Sequence, residues 1–149
     1  MARELDTVLI CSDRYGDLNV TRDQVFRFEK GIVGFQDIRQ YALIGMDDAP
    51  FYILHALEEQ VSFILLPAEK VVADYGFPID QETVELLHVV RPEEVATLLI
   101  VNIVDNRLYV NLKAPILLSP NQGYGIQFVI HDRNYPIRYP LQPGGKGDD

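Results

Sequence analysis

The sequence predicts a mainly β protein, a compact single-domain β-barrel-like fold of short antiparallel strands with one or two short helices. Short runs rich in β-branched and aromatic residues recur along the chain, with turn residues between them. Several runs, such as residues 24–28 and 124–130, alternate with the two-residue period of a strand. The chain has 149 residues, 48% of them hydrophobic, which is enough for one core.

Nine segments have the pattern of strands. The predicted strands cover residues 7–10, 24–28, 41–44, 51–57, 61–66, 96–104, 108–112, 116–118 and 124–130. Residues 96–104 carry apolar side chains on both faces, Ile103 included, which predicts a central strand covered on both sides. Asp105 and Asn106 follow it and predict a two-residue turn into the next strand.

One helix is predicted from Asp80 through Leu87. Asp80 can accept hydrogen bonds from the free N–H groups at a helix start. Ile79 and Val84 have the spacing of a hydrophobic staple, and Pro92 limits how far the helix extends. A further single helical turn is predicted within residues 70–75.

The domain organisation is simple. Residues 1–142 are expected to form one β domain, and residues 143–149, rich in glycine and charge, a disordered tail. The apolar runs are too short to span a membrane, and acids stand near the N-terminus where a signal peptide needs an apolar segment. The expected location is therefore the cytoplasm, with no membrane contact.

Acidic residues outnumber basic ones 22 to 13, giving a formal net charge of −9. Direct nucleic-acid binding depends on phosphate neutralisation by Lys and Arg, so this balance argues against it. A negative surface fits a basic protein partner, because opposite charges speed encounter. On its own, the net charge is more simply interpreted as maintaining solubility.

Residues capable of catalysis or metal binding are scattered. Cys11 is expected to be a buried apolar residue of a strand. His55, His88 and His131 lack the spacing of metal ligands, so no metal and no cofactor is expected. Acidic doublets fall in turns at 47–48, 58–59 and 93–94. A small β-barrel hydrolase or isomerase using such surface carboxylates is the alternative hypothesis.

A Gly-x-x-Gly loop runs from Gly31 to Gly34. Such loops clamp RNA in KH domains, but here the flanking residues are apolar rather than basic. The favoured interpretation is a tight bend in which the glycines adopt positive φ and Ile32, Val33 and Phe35 pack inward. The alternative is an apolar contact site for a protein partner.

Two long segments resemble the flagellar assembly factor family FliW. The first is FRFEKGIVGF at 26–35, followed by YAL at 41–43 and PFYIL at 50–54. The second is NLKAPI at 111–116, followed by GIQFVI at 125–130. The similarity extends over nearly the whole chain. It departs from the usual family residues at Val33, Tyr109, Ser119 and Ile126.

The resemblance implies a β-barrel-like binding protein with no enzymatic activity and no small-molecule substrate. It implies two protein partners, flagellin and the RNA-binding translational repressor CsrA, and a switch in which free FliW captures CsrA and relieves repression of flagellin synthesis. The resemblance also indicates protein-binding positions. These are Gly31, Gly34, Phe35, Asn111, Pro115 and Gln127.

Overall fold

The structure, a computed structural model, describes residues 7–47 and 50–141. Within these ranges the chain forms eleven strands and one α-helix. The elements are β1 (Thr7–Ser12), β2 (Gly16–Thr21), β3 (Val25–Phe28), β4 (Gln40–Gly45), β5 (Tyr52–Ala56), β6 (Ser62–Pro67), α1 (Gln81–Leu87), β7 (Ala96–Val104), β8 (Arg107–Val110), β9 (Ile116–Ser119), β10 (Tyr124–Gln127) and β11 (Tyr139–Pro140). The predicted tail at 143–149 lies outside the described residues.

Seven of these strands close into a barrel, which confirms the predicted fold class. Strands β3 to β7 form an antiparallel meander. Strand β9 then pairs with β7 on one side and β10 on the other. Closure comes from β10, which pairs with β3 in parallel, an exception to the antiparallel arrangement that was expected.

The barrel has one interior core and three outer layers. Large side chains fill the interior, among them Phe28, Tyr41 and Leu65, all fully buried. Outside, the β1–β2 hairpin packs on β3–β4, the segments 68–75 and 135–141 cover β6–β8, and α1 covers β9–β10. The barrel strands are therefore covered both inside and outside, which explains why apolar residues occupy both faces of several of them.

The β1–β2 hairpin corrects the prediction for Cys11. Only alternate residues of β1, such as Ile10 and Ser12, face the barrel, since successive side chains of a strand point to opposite sides. Cys11 points the other way and is exposed, so its prediction as a buried residue was wrong.

The β7–β8 hairpin confirms one prediction and overturns another. Asp105 and Asn106 both have positive φ, 53° and 65°, as the predicted two-residue turn requires. Leu98 and Leu99 are buried on opposite faces of β7, as expected. Ile103, predicted to be in the core, is 62% exposed. The pairing of β6 with β7 ends at Val101, so the end of β7 projects beyond the barrel.

Helix α1 begins and ends as the sequence predicts. The Asp80 carboxylate accepts a hydrogen bond from the Thr83 N–H at 2.9 Å, and bonding to Thr83 holds the pKa of this carboxyl below its usual value. His88 ends the helix with a φ of 59°. The extra turn predicted within 70–75 forms earlier, as a 3₁₀ turn at Ala68–Lys70. None of the described helices is long and apolar enough to cross a membrane.

Tyr41 carries a polar group into the barrel interior. Its side chain is fully buried against Phe28 and Phe63, and its hydroxyl has no hydrogen-bond partner among the described residues. Burial, with a smaller contribution from Glu59, raises the pKa of Tyr41 to about 12. An unsatisfied buried hydroxyl of this kind destabilises the folded state by about 1–3 kcal/mol.

We expect Tyr41→Phe to raise the free energy of unfolding at pH 8 by about 1 kcal/mol, because it removes this unsatisfied hydroxyl. In the wild type, the unfolded phenol ionises near its ordinary pKa of 10.0 while the folded one stays neutral up to about pH 12. Stability therefore falls as the pH rises from 10 to 12, and Tyr41→Phe should reduce that fall. Urea denaturation across this range measures both effects. Tyr139→Phe, at an exposed position, is the control and should change neither.

Candidate protein-binding site

The loop between β3 and β4, residues 29–39, lies at the barrel end where β3 and β10 finish and β4 and β9 begin. Gly31 and Gly34 have φ values of 66° and 89°, which confirms the predicted bend with glycines at positive φ. Ile32 between them is 1% exposed and belongs to the interior core. The Phe35 N–H closes the turn on the Ile32 carbonyl at 2.6 Å. Ile32 thus anchors the loop in the end of the barrel.

Two of the three residues predicted to pack inward do not. Val33 is 63% exposed and Phe35 is 39% exposed. The loop reverses direction within four residues, so Ile32 occupies the opening of the barrel and its neighbours are left outside. The rings of Phe35 and Phe63 form a T-shaped contact, with centroids 5.7 Å apart. The loop therefore presents apolar surface, as the alternative interpretation of this loop requires.

Gln127 fastens this loop to the rest of the barrel. Its amide oxygen accepts a hydrogen bond from the Val33 N–H at 3.0 Å, and its amide nitrogen donates to the Ala114 carbonyl at 3.2 Å. One side chain at the end of β10 thus links two loops that are far apart in sequence. We call this pair of hydrogen bonds the Gln127 bridge.

Asn111 and Pro115 shape the other side of the Gln127 bridge. The Asn111 side-chain oxygen accepts hydrogen bonds from the N–H groups of Lys113 and Ala114, both at 3.0 Å. The Pro115 carbonyl accepts from the Phe128 N–H at 3.0 Å. These bonds hold the Ala114 carbonyl where Gln127 reaches it.

The structure thus connects the six positions indicated by the resemblance, but they differ in exposure. Gly34 and Phe35 are exposed, Asn111 and Gln127 are half-buried, and Gly31 and Pro115 are buried. The exposed positions can touch a partner directly, whereas the buried ones, Gly31 and Pro115, each fix the shape of the loop in which they lie. Val33, which was predicted to pack inward, is more exposed than Phe35, at 63% against 39%.

A groove of about 440 Å³ continues from Phe35 across the barrel wall. Its lining includes Tyr15 from the β1–β2 turn, Phe63 from β6, and the exposed Ile103 from β7. Sequence reasoning missed this groove because it assigned Ile103 to the core. The sequence does carry a signal for the exposure of Ile103. The strand predicted at 96–104 is three residues longer than the one predicted at 61–66, so its end extends past that neighbour. We call this the Phe35 groove.

A second cavity, of about 430 Å³, lies beside α1. Apolar side chains dominate its lining, including Ile79, Val84, Val90 and Leu117. Phe77, also in the lining, stacks on Phe128 of the segment after β10 with centroids 5.6 Å apart. We call this the α1 cavity. It shares no lining residue with the Phe35 groove.

An ion pair connects the loop to α1. The Lys30 ammonium lies 2.6 Å from the Glu82 carboxylate, and both side chains are more than half exposed. Such an exposed pair contributes about 0.2–1 kcal/mol and weakens with salt. The Gln127 bridge, one of whose two hydrogen bonds is partly buried, is the less exposed attachment of the loop.

The histidines occupy separate structural positions. His55 is buried in β5, His88 stacks on Tyr124 with centroids 4.1 Å apart, and His131 is exposed. Among residues 7–47 and 50–141, no group of three or more His, Cys, Asp or Glu gathers as a metal site would require.

One Ser–His contact bears on the enzyme hypothesis. His55 Nε2 lies 2.9 Å from the Ser12 hydroxyl, and Nδ1 lies 2.7 Å from the Ala56 carbonyl. A carbonyl only accepts, so Nδ1 carries the proton and Nε2 accepts from Ser12. Ser12 also accepts from the Tyr15 N–H at 3.0 Å. Both side chains are buried and line neither the Phe35 groove nor the α1 cavity, so the contact attaches the hairpin to the barrel.

The fold and the loop define a small single-domain β-barrel that displays an apolar loop fastened at one end. The family model described as "FliW protein" matches residues 9–141. The chain therefore belongs to the FliW family.

Relatives and a solved structure agree with this assignment. The flagellar assembly factor FliW of Caldicellulosiruptor saccharolyticus is 32% identical over 131 residues, covering 85% of this chain and 86% of the relative. That of Bacillus subtilis is 28% identical over 138 residues, covering 90% and 96%. A crystal structure of the flagellar assembly factor FliW matches with a TM-score of 0.83 and 27% identity, covering 93% of this chain and 99% of that one.

Proposed function

We propose that this protein is a cytoplasmic partner switch that binds flagellin and the translational repressor CsrA. Flagellin occupies it while flagellin is abundant, and free protein captures CsrA once flagellin has been exported. Membership of a family of flagellar assembly factors supports this proposal, as do the exposed apolar loop and the negative net charge.

The observation that carries the proposal is the exposed apolar loop. Val33 and Phe35 stand outside the core on a turn held by the Gln127 bridge, so the loop is arranged before any partner arrives. A preorganised apolar surface loses less entropy on binding than a mobile one. Together with the Phe35 groove it suits the apolar face of an amphipathic helix, which is the form flagellin's terminal segments take in filaments.

The net charge of −9 supports the second partner. CsrA binds RNA and must therefore present basic residues. An acidic protein attracts such a surface and repels the phosphates of RNA near it. Binding of CsrA is thus expected to weaken as salt increases.

The proposal is tested by mixing the purified protein separately with flagellin and with a CsrA homologue. Size-exclusion chromatography should show a complex in each case, and the CsrA complex should dissociate as salt increases. Phe35→Ala should weaken flagellin binding about tenfold, since it removes most of an aromatic contact surface. Separate peaks for both mixtures at low salt would contradict the proposal.

The alternative, a small β-barrel enzyme, is less well supported. The acidic residues proposed for it at 58–59 lie in a turn, and Glu94 accepts a hydrogen bond from the Val90 N–H at 2.8 Å. The Ser12–His55 pair has a backbone carbonyl where a catalytic triad has a carboxylate. Glu58 and Glu59 line a pocket with Asp37, Arg27 and Arg39, but its volume of about 150 Å³ is below the roughly 300–1,000 Å³ usual for a small-molecule site.

A further inference from the structure

Acidic residues outnumber basic ones in the segment that contains α1. Residues 74–94 hold six acids against one base. Asp74, Asp80, Glu85 and Glu93 are all exposed, and each adjoins a residue that lines the α1 cavity. Arg91 is the basic residue in that lining, and these four carboxylates outnumber it.

At the edge of the α1 cavity lies an apolar side chain with nothing covering it. Val90 is 88% exposed and lines the cavity with Val84, Pro92 and Val95. An apolar cavity with a polar rim is the usual form of a surface that receives an apolar anchor from another protein. Exposed acids adjoin these lining residues in sequence and outnumber Arg91, so an anchor flanked by basic residues fits the cavity best.

We propose that the α1 cavity is where the basic partner docks, inserting an apolar side chain while its Lys and Arg residues face the surrounding carboxylates. This inference rests on the proposed function, in which CsrA is the basic partner. Flagellin would then use the Phe35 groove and CsrA a separate surface. A nucleic acid or a second copy of this acidic chain would meet repulsion at the α1 cavity.

The two surfaces are joined by consecutive residues, one at the end of β10 and one just after it. Gln127 holds the loop beside the Phe35 groove, and the next residue, Phe128, stacks on Phe77 in the wall of the α1 cavity. The Lys30–Glu82 ion pair makes a second connection between them. Separate surfaces can therefore still affect one another through β10 and α1.

A pair of matched substitutions tests the assignment. Val90→Arg adds a bulky cation at the edge of the α1 cavity, and Val33→Arg adds the same group on the loop; both positions are mostly exposed, so folding is preserved. By calorimetry, Val90→Arg should weaken binding of purified CsrA homologue at least tenfold and leave flagellin binding within twofold. Val33→Arg should do the reverse.

The outcomes separate this inference from the function on which it rests. A wild type that binds neither protein would contradict the proposed function itself. A wild type that binds CsrA, with Val90→Arg binding equally well, would overturn only the docking assignment, as would loss of CsrA binding in Val33→Arg alone. Self-association of the free protein that Val90→Arg abolishes would assign the cavity to a second copy instead.

Discussion

Replacing Gly31 by alanine is expected to destabilise the protein by about 3 kcal/mol and to abolish measurable flagellin binding. Gly31 has a φ of 66°, where a non-glycine residue costs about 1–2 kcal/mol. A Cβ there would also lie 2.5 Å from the Gln36 Cα, so backbone must move, at a further cost of about 1–3 kcal/mol. Urea denaturation and calorimetric titration with flagellin measure the two effects.

Gly34 provides the matched control for this substitution. It also has positive φ, 89°, but a Cβ there would meet open space. Gly34→Ala should therefore cost about 1 kcal/mol, from the backbone conformation alone, and largely retain binding. Equal losses in the two variants would show that the close packing of Gly31 on Gln36 does not hold the loop in place.

Replacing Gln127 by alanine is expected to weaken flagellin binding about 30-fold, with a stability loss of only about 1–2 kcal/mol. Without the Gln127 bridge, the loop around Val33 must be ordered when the partner binds, and fixing a residue's backbone costs about 1–2 kcal/mol. A 30-fold loss of affinity corresponds to about 2 kcal/mol, at about 1.4 kcal/mol per tenfold change. The cost of ordering two residues is enough to account for it.

Two further variants make this result specific. Gln127→Glu keeps an acceptor for the Val33 N–H but loses the donor to the Ala114 carbonyl, so its binding should fall between wild type and alanine. Gln122→Ala removes an amide from an exposed turn and should bind as wild type. Wild-type affinity in Gln127→Ala would mean that the loop needs no such support.

Much of the fold could be predicted because local patterns determine it. The alternation of β3, the two-sided apolar run of β7 and the capping residue Asp80 each mark their element. Strand β2 (Gly16–Thr21) was not predicted, because its pattern is short and rich in polar residues. Its position depends on pairing with β1, which local propensity does not specify.

The candidate site was harder to predict than the fold. The two glycines predict a tight bend, but which of Ile32, Val33 and Phe35 fills the core depends on how much room the barrel opening leaves. The exposure of Ile103 likewise depends on where the neighbouring strand stops. The resemblance to FliW placed Gln127 among the binding positions, but only the structure shows that it acts by holding Val33.

The parallel pairing of β10 with β3 has a consequence for how the protein is made. Val33 and Gln127 are 94 residues apart, and the sheet has no closed form until β10 enters between β3 and β9. A nascent chain therefore leaves the ribosome with one edge of β3 unpaired until β10 has been synthesised. Folding that depends on such distant contacts is slow, so competence to bind arises only after the last strands of the barrel have been translated.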